Sequence, residues 1–169
     1  MTPDSLARMH ILSLITWLPL AGALVLLFVP RDKVPVIKYF ANGWMVLSFL
    51  VSLPLLAYDR ALGGLQFVED AAWIPSIGAR YALGVDGISI ALVLLTTVLG
   101  VLATLSSWNY IARRHKEFYV FMLVMQTTML GVFVAQDLFL FYVFWEITLV
   151  PMYFLIGIWG GDNRLYAAI

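Results

Sequence analysis

The chain has no cysteine, only two histidines and few charged residues. Without cysteine it can form no disulfide, no thiolate-bound iron–sulfur cluster and no zinc–thiolate site. His10 and His115 lie far apart in sequence, each beside charged, loop-like residues. We therefore interpret each histidine as an interfacial side chain rather than as a metal or haem ligand. These absences predict that the chain has no redox centre, metal site or cofactor site of its own.

Charge is scarce and balanced, with 12% charged residues and a formal net charge of zero. A neutral chain offers no electrostatic basis for binding nucleic acid. Hydrophobic residues instead make up 63% of the 169 residues, whereas soluble domains are about half apolar and a quarter charged. One core of this size saturates quickly in water. The composition therefore predicts a membrane protein that is surrounded by a lipid bilayer.

Five stretches have the roughly 20 apolar residues that a membrane-spanning helix needs. The predicted spans are 11–29, 39–58, 88–108, 118–136 and 138–159, with 59–87 as the one long extramembrane connection. A cleavable signal peptide is the alternative for the first stretch, although that stretch is longer than a signal core and lacks a small-residue cleavage site. We predict an all-α fold with a single membrane domain over 1–169, a polytopic helical bundle of about five transmembrane helices.

The distribution of basic residues predicts how the bundle is oriented. Seven of the ten fall on one side of the predicted spans: Arg31, Lys33, Lys38, Arg113, Arg114, Lys116 and Arg164. Because basic residues concentrate on the cytoplasmic side of membrane proteins, the N-terminus is predicted to lie on the non-cytoplasmic side.

Several residues have predicted roles in local structure. Asp86 and Asp137 immediately precede the third and fifth spans, where an aspartate typically caps a helix. Thr96, Gly100 and Thr104 recur every four residues, a spacing of small residues that lets two helices approach closely. We expect that face of the third span to contact another helix rather than lipid.

The long connection between the second and third spans has its own predicted features. Trp73 is a candidate anchor at the membrane interface. Residues 81–85 are predicted to form a short extended piece, with Gly78 and Gly84 as turn points.

Glu146 is the only charged residue within the five predicted spans. As the ninth residue of the fifth span it lies roughly 13 Å from the helix start, near the middle of the apolar layer. A charge at that depth costs about 2.5–3.5 kcal/mol on insertion scales. A buried glutamate whose charge depends on a movable cation has the properties of a proton relay. The alternative is a protonated glutamate that hydrogen-bonds a neighbouring helix.

The surroundings of Glu146 favour a hydrated polar path. Tyr142 and Tyr153 fall on the same helical face as Glu146. Pro151 lacks an amide hydrogen and clashes with the carbonyl of residue 147, so a kink there would free backbone acceptors beside the carboxyl. Gln126 in the fourth span, followed by two threonines, adds polar groups at a similar depth.

Residues 138–146 and 151–161 together resemble the fifth helix of the antiporter-like subunits of complex I, the NADH–quinone oxidoreductase. Residues 81–89 resemble the same family, as do Glu69 and the Trp73-Ile74 pair. The similarity is closest to the M branch, also called NADH dehydrogenase subunit four, and it extends over nearly the whole chain. The resemblance implies the N-terminal part of an inverted-repeat antiporter-like fold.

The resemblance also implies a function. In that family the glutamate matching Glu146 is the acid of a pumping half-channel, paired with a lysine on the seventh helix. FMN, iron–sulfur clusters and quinone are then expected in partner subunits. The expected partners are other membrane-arm subunits of complex I, including neighbouring antiporter-like subunits, and the bilayer. The expected location is the bacterial inner membrane, with the mitochondrial inner membrane as the less favoured alternative.

The chain departs from the family pattern in length. It stops before the sixth helix and the partner lysine, so we expect a partial chain that does not pump on its own. One alternative is a subunit of a multi-chain cation/proton antiporter or a membrane-bound hydrogenase. The other is a truncated scaffold that does not transport ions.

Overall fold

Helices form most of the chain, as expected where apolar segments must satisfy their backbone hydrogen bonds internally. The computed structural model describes residues 10–59, 61 and 63–168. The helices are α1 (Ile11–Leu27), α2 (Val34–Ser52), α3 (Gly87–Tyr110), α4 (His115–Val134), α5 (Leu138–Trp159) and the short α6 (Arg164–Ala168). The predicted all-α bundle is confirmed, with one small sheet added to it.

Among the residues that the structure describes, four helical segments are long and apolar enough to cross a membrane. They are α3, α4, α5 and Val34–Ala57, in which α2 continues into a 3-10 turn over Leu53–Ala57. The fifth, α1, is apolar but has only 17 residues, which at 1.5 Å per residue gives roughly 26 Å. The chain is therefore a membrane protein by the length and composition of its helices.

The connection between α2 and α3 differs from the prediction, because it contains a β-hairpin. Strand β1 (Gln66–Ile74) pairs antiparallel with β2 (Ala79–Val85), and the predicted extended piece 81–85 lies within β2. Gly78 adopts a positive φ of 70° at the turn, a conformation that glycine adopts without strain. Residues Glu69 and Asp70, adjacent in β1, point to opposite faces: Glu69 is buried and Asp70 is exposed.

The hairpin is tied to the connection between α4 and α5. The amide of Gln136 donates to the carbonyl of Ala82 at 2.8 Å, and its side chain donates to the carbonyl of Gly84 at 3.0 Å. Leu83 also forms an isolated bridge with Ala135. The start of α5 is thus fixed to the sheet, and we call this side of the bundle the hairpin end.

The opposite side, which we call the basic end, is held by lysines that bind helix C-termini. Lys38 donates to the carbonyl of Trp108 at 2.6 Å, and Lys116 donates to that of Leu27 at 2.6 Å. These carbonyls lie in the last turns of α3 and α1, where unpaired acceptors and the helix dipole both favour a cation. The basic side chains therefore complete the hydrogen bonding of the helix ends as well as carrying charge.

The interior holds a polar layer between two apolar clusters. Its buried members include Thr16, Ser48, Ser52, Thr96, Thr97, Gln126, Thr127 and Thr128. The predicted small-residue face of α3 is confirmed as a contact surface, because Thr96 and Thr104 are buried and Asn42 of α2 donates to the Thr104 hydroxyl at 2.9 Å. The helices of the bundle therefore pack through small and polar side chains near mid-height.

Candidate functional site

Helix α5 begins at a well-formed cap. Asp137 is extended and accepts a hydrogen bond from the amide of Leu140 at 3.0 Å, as predicted. Asp86 caps α3 in the same way, accepting from the amides of Ile88 and Ser89 at 3.0 and 2.7 Å. These amide donors hold the pKa of both aspartates below the ordinary value. The two caps are therefore ionised at neutral pH and fix the helix starts.

The buried face of α5 determines where Glu146 points. The helix buries Leu140, Phe144 and Pro151 against the rest of the bundle. Glu146 follows Phe144 by two residues, which is roughly 200° around a helix. Its side chain is accordingly exposed on the side of α5 that faces away from the described bundle.

Tyr142 and Tyr153 share this exposed face, as the spacing predicts. Tyr142 is 57% exposed and Tyr153 is 48% exposed. Tyr142 precedes Glu146 by four residues, about one turn of the helix. Together the three side chains form a polar strip along an otherwise apolar helix, which we call the α5 strip.

Pro151 lies one turn beyond Glu146 with its ring buried in the bundle. The chain is helical on both sides of it. Because proline has no amide hydrogen, the carbonyl of Ile147 lacks its usual helical donor. Ile147 is 44% exposed and adjacent to Glu146, so a carbonyl without its usual helical donor lies next to the α5 strip in the chain.

Gln126 does not lie beside the α5 strip. It is buried on α4, and its amide donates to the carbonyl of Thr96 on α3 at 3.2 Å. Its side-chain oxygen packs against Gly100, where an added Cβ would lie only 2.6 Å away. Thr127 is buried with a hydroxyl that has no partner among the described residues, and Thr128 donates to the carbonyl of Met125 at 3.0 Å. The structure thus places these polar groups in the bundle interior and not beside the α5 strip.

No described cation pairs with Glu146. Within residues 10–59, 61 and 63–168, the close contacts between basic and acidic side chains join His10 to Glu69, Arg31 to Glu117 and Arg80 to Asp70. All three lie at the hairpin end or the basic end. Within the same residues, no group of three histidine, aspartate or glutamate side chains has the arrangement of a metal site.

The capping role of the buried carboxylate of Glu69 was not predicted from the sequence. Glu69 of β1 accepts hydrogen bonds from the amides of Leu12 and Ser13 at 2.7 and 3.2 Å and from the Ser13 hydroxyl. It therefore caps α1 from a distant strand, with His10 Nδ1 3.6 Å away. The available signal was the missing local cap, since His10 precedes α1 and makes no side-chain cap bond.

Hydrogen bonds extend from this cap into the bundle. The Ser13 hydroxyl lies 2.9 Å from the hydroxyl of Tyr81, which accepts from the indole of Trp17 at 2.9 Å. The ring of Trp17 in turn packs on Phe144, with centroids 5.7 Å apart. The hairpin is thereby connected to α5 two residues from Glu146.

Comparison with known sequences identifies the family. Residues 11–133 match the family described as NADH-ubiquinone oxidoreductase chain 4, amino terminus. Residues 135–169 match the transmembrane family of NADH:quinone oxidoreductase and Mrp antiporters. The chain belongs to the NADH-quinone oxidoreductase chain 4 family. The resemblance noted in the sequence is therefore confirmed.

Individual members of the chain 4 family support this assignment. NADH-quinone oxidoreductase subunit M of Rhodobacter capsulatus is 52% identical over 164 residues, which are 94% of this chain and 31% of that protein. The chloroplastic NAD(P)H-quinone oxidoreductase chain 4 of Chara vulgaris is 43% identical over 93% of this chain and 32% of its own length. The chain thus spans about a third of the length of these relatives.

A solved structure shows the same fold. A chain of respiratory complex I from Thermus thermophilus with bound NADH matches with a TM-score of 0.77 and 28% sequence identity. The match covers 93% of this chain and 31% of that one. The described helices and hairpin therefore have the architecture of the corresponding part of a complex I membrane subunit.

Proposed function

We propose that the chain is part of a proton-translocating membrane subunit of a respiratory NADH-quinone oxidoreductase, with Glu146 as the proton relay. The observation that supports this most strongly is the position of Glu146. It is an acid near the middle of an apolar helix, on the face that the described bundle leaves uncovered.

Contact between lipid and this uncovered face of α5 would be unfavourable. A charged side chain at the bilayer centre costs about 2.5–3.5 kcal/mol on insertion scales, and intramembrane ionisable residues almost always face protein or water. The α5 strip therefore needs a cover that the described residues do not supply. Because the relatives are about three times longer than the matched part, further helices of the same subunit are the natural cover.

The relay requires a change in the electrostatic surroundings of the carboxyl. A nearby cation favours the carboxylate, whereas desolvation without a cation favours the protonated acid. A lysine on a covering helix that approaches and retreats would release and reload the proton. Tyr142, Tyr153 and the carbonyl freed by Pro151 would then bind water or hydrogen-bond the carboxyl. Gln126 is assigned a packing role between α4 and α3.

Electron transfer belongs to other chains in this proposal. FMN, the iron–sulfur clusters and quinone are bound by partner subunits, and this chain contacts the neighbouring membrane-arm subunits and lipid. The proposed location is the bacterial inner membrane, with the basic end facing the cytoplasm.

The decisive experiment compares Glu146→Gln with Glu117→Gln in the assembled complex in sealed vesicles. Glutamine keeps the size of glutamate but cannot carry the transferable proton. We expect Glu146→Gln to lose most of its coupled turnover and proton-to-electron ratio, whereas Glu117→Gln, at the basic end, retains both. If Glu146→Gln pumps normally in an intact complex, Glu146 is a structural group and the chain is a scaffold.

Orientation is tested by single cysteines, for which this cysteine-free chain is well suited. Ser76→Cys lies at the hairpin end and Asp32→Cys at the basic end. A membrane-impermeant thiol reagent added outside intact cells should label the first and not the second. The reverse labelling would overturn the proposed orientation.

A cation/proton antiporter subunit is the second candidate, because the family model matching 135–169 also covers Mrp antiporters. Purification of the chain from its host membrane distinguishes the two. Flavin and iron–sulfur subunits should accompany it if it belongs to the oxidoreductase, and other antiporter chains without redox subunits if it does not.

A further inference from the structure

Phe144 occupies a notch in α4 that only glycine can form. A Cβ added to Gly131 would lie less than 3.0 Å from three carbons of the Phe144 ring, closer than real Cβ contacts come. The ring therefore rests directly on the α-carbon of Gly131, and Phe144 is only 3% exposed. Any larger residue at position 131 must displace the ring or the helix that bears it.

The other side of the Phe144 ring is closed by Trp17 of α1, at a centroid distance of 5.7 Å and an interplanar angle of 47°. Trp17 is held in turn by its indole hydrogen bond to Tyr81 of the hairpin. Phe144 is thus enclosed between α4 and a tryptophan whose orientation is fixed by the sheet.

This contact is a major anchor of α5. The helix is apolar nearly all round and buries only two other residues, Leu140 and Pro151. Because hydrophobicity is nearly uniform around the helix, its rotation about its own axis is specified by fitted contacts such as this one. Since Phe144 and Glu146 lie two residues apart on one helix, any rotation that moves the ring out of its notch also turns the carboxyl.

We propose that Gly131 and Phe144 are positioning residues for Glu146, because the ring in its notch fixes the rotation of α5 and hence the direction of the carboxyl. This inference rests on the proposed relay function of Glu146. Neither residue touches the transferred proton; both act through the orientation of the helix.

The test is Gly131→Ala in the complete complex, which adds a single methyl group at the notch. Alanine is a better helix former than glycine by about 1 kcal/mol, so loss of helix propensity cannot explain a defect. Gly43→Ala is the matched control, since Gly43 is a glycine of α2 with no atom within 4 Å of an added Cβ. Intact assembly is checked for each variant before activity is compared.

We expect Gly131→Ala to lower coupled turnover by up to about 100-fold, the loss that a misplacement of about 1 Å can cause. Phe144→Leu in the same chain should restore much of it, because the smaller side chain can turn away from the new methyl group. A defect of assembly alone would instead reduce the amount of intact complex without lowering the turnover of the complex that forms. Failure of this rescue would overturn the positioning role.

The rotation itself is measured without reference to pumping. Trp73 on β1 and Phe139 on α5 pack with ring centroids 5.7 Å apart, so cysteines at these two positions should be bridged by a short reagent with a maleimide group at each end, each of which adds one cysteine thiol. Gly131→Ala should remove most of this cross-link, and Gly43→Ala should not. An unchanged cross-link would overturn the inference.

The two readouts separate this inference from the proposed function. If the cross-link is lost but turnover stays normal while Glu146→Gln is inactive, orientation does not matter and the positioning role is overturned. If Glu146→Gln is itself fully active, the failure belongs to the relay proposal.

Discussion

Helices α4 and α5 are similar in length and both apolar, yet the polar residues of α4 are buried and the acid of α5 is exposed. Helix α4 buries nine of its 20 residues, and all three of its central polar side chains, Gln126, Thr127 and Thr128, are among them. Helix α5 buries three of 22 residues and leaves its one acid exposed. One helix is the centre of the described bundle, and the other is its edge.

The difference shows that the role of a polar residue in a membrane helix depends on which groups surround its side chain. Gln126 has its hydrogen-bond partner within the described chain, so its role can be assigned to packing. Glu146 has no counter-charge there, although a charge at that depth needs one. The candidate functional residue therefore lies on α5, the helix at the edge of the described bundle.

The largest expected contrast is in packing. Leu130 of α4 is fully buried, whereas Leu149 of α5 is 43% exposed. Leu130→Ala should destabilise the protein by about 2–5 kcal/mol, as buried leucine truncations do, and Leu149→Ala by much less. The measurement is the temperature at which the chain is lost from the assembled complex. Equal effects of the two substitutions would show that another element packs on α5 as tightly as the described bundle packs on α4.

An intermediate effect distinguishes the polar groups of the two helices. Gln126→Leu removes one buried hydrogen bond and should cost roughly 0.5–1.5 kcal/mol with turnover retained. Tyr142→Phe on the α5 strip should leave stability unchanged and lower coupled turnover. Thermal stability and turnover are measured on both variants. A turnover loss in Gln126→Leu alone would place the polar path in the bundle interior instead.

The smallest expected effect concerns the caps at the hairpin end. The pKa of Asp137 is lowered by the amide of Leu140, so its contribution to stability is present above the ordinary aspartate pKa. That contribution is lost as the pH falls through the lower folded value. Hydrogen exchange at the start of α5, corrected for its intrinsic pH dependence, should therefore show less protection only in strongly acidic solution. Asp137→Asn should keep the cap bond and abolish the pH dependence.

Much of the fold could be predicted from the sequence, because a long apolar run indicates a helix and an aspartate just before it indicates where that helix begins. Each of the five long helices overlaps one of the five apolar stretches, and Asp86 and Asp137 cap the helices that they precede. The small-residue face of α3 was likewise visible as a repeat of four. Each of these patterns involves residues that are close together in the sequence, so it can be recognised without knowing how distant segments contact each other.

The missed features depend on contacts between distant segments. Strand β1 shows no regular alternation, since its burial is interrupted by a bulge near Phe67, which has a φ of 56°. The cap that Glu69 provides for α1 joins residues 57 positions apart. The rotation of α5 was also hidden, because a helix that is apolar all round gives no sign of which face packs. The buried residues Leu140, Phe144 and Pro151 reveal it, together with the contact of Phe144 with Gly131.

The capping of α1 by Glu69 also sets an order of events during translation. The amide of Leu12 emerges from the ribosome 57 residues before the carboxylate that it will bind. At about 5–20 residues per second this interval is roughly 3–11 s. During that time α1 and α2 can insert while the first turn of α1 is still hydrated. The start of α1 is thus completed only after α2 has been made, when the hairpin folds against it.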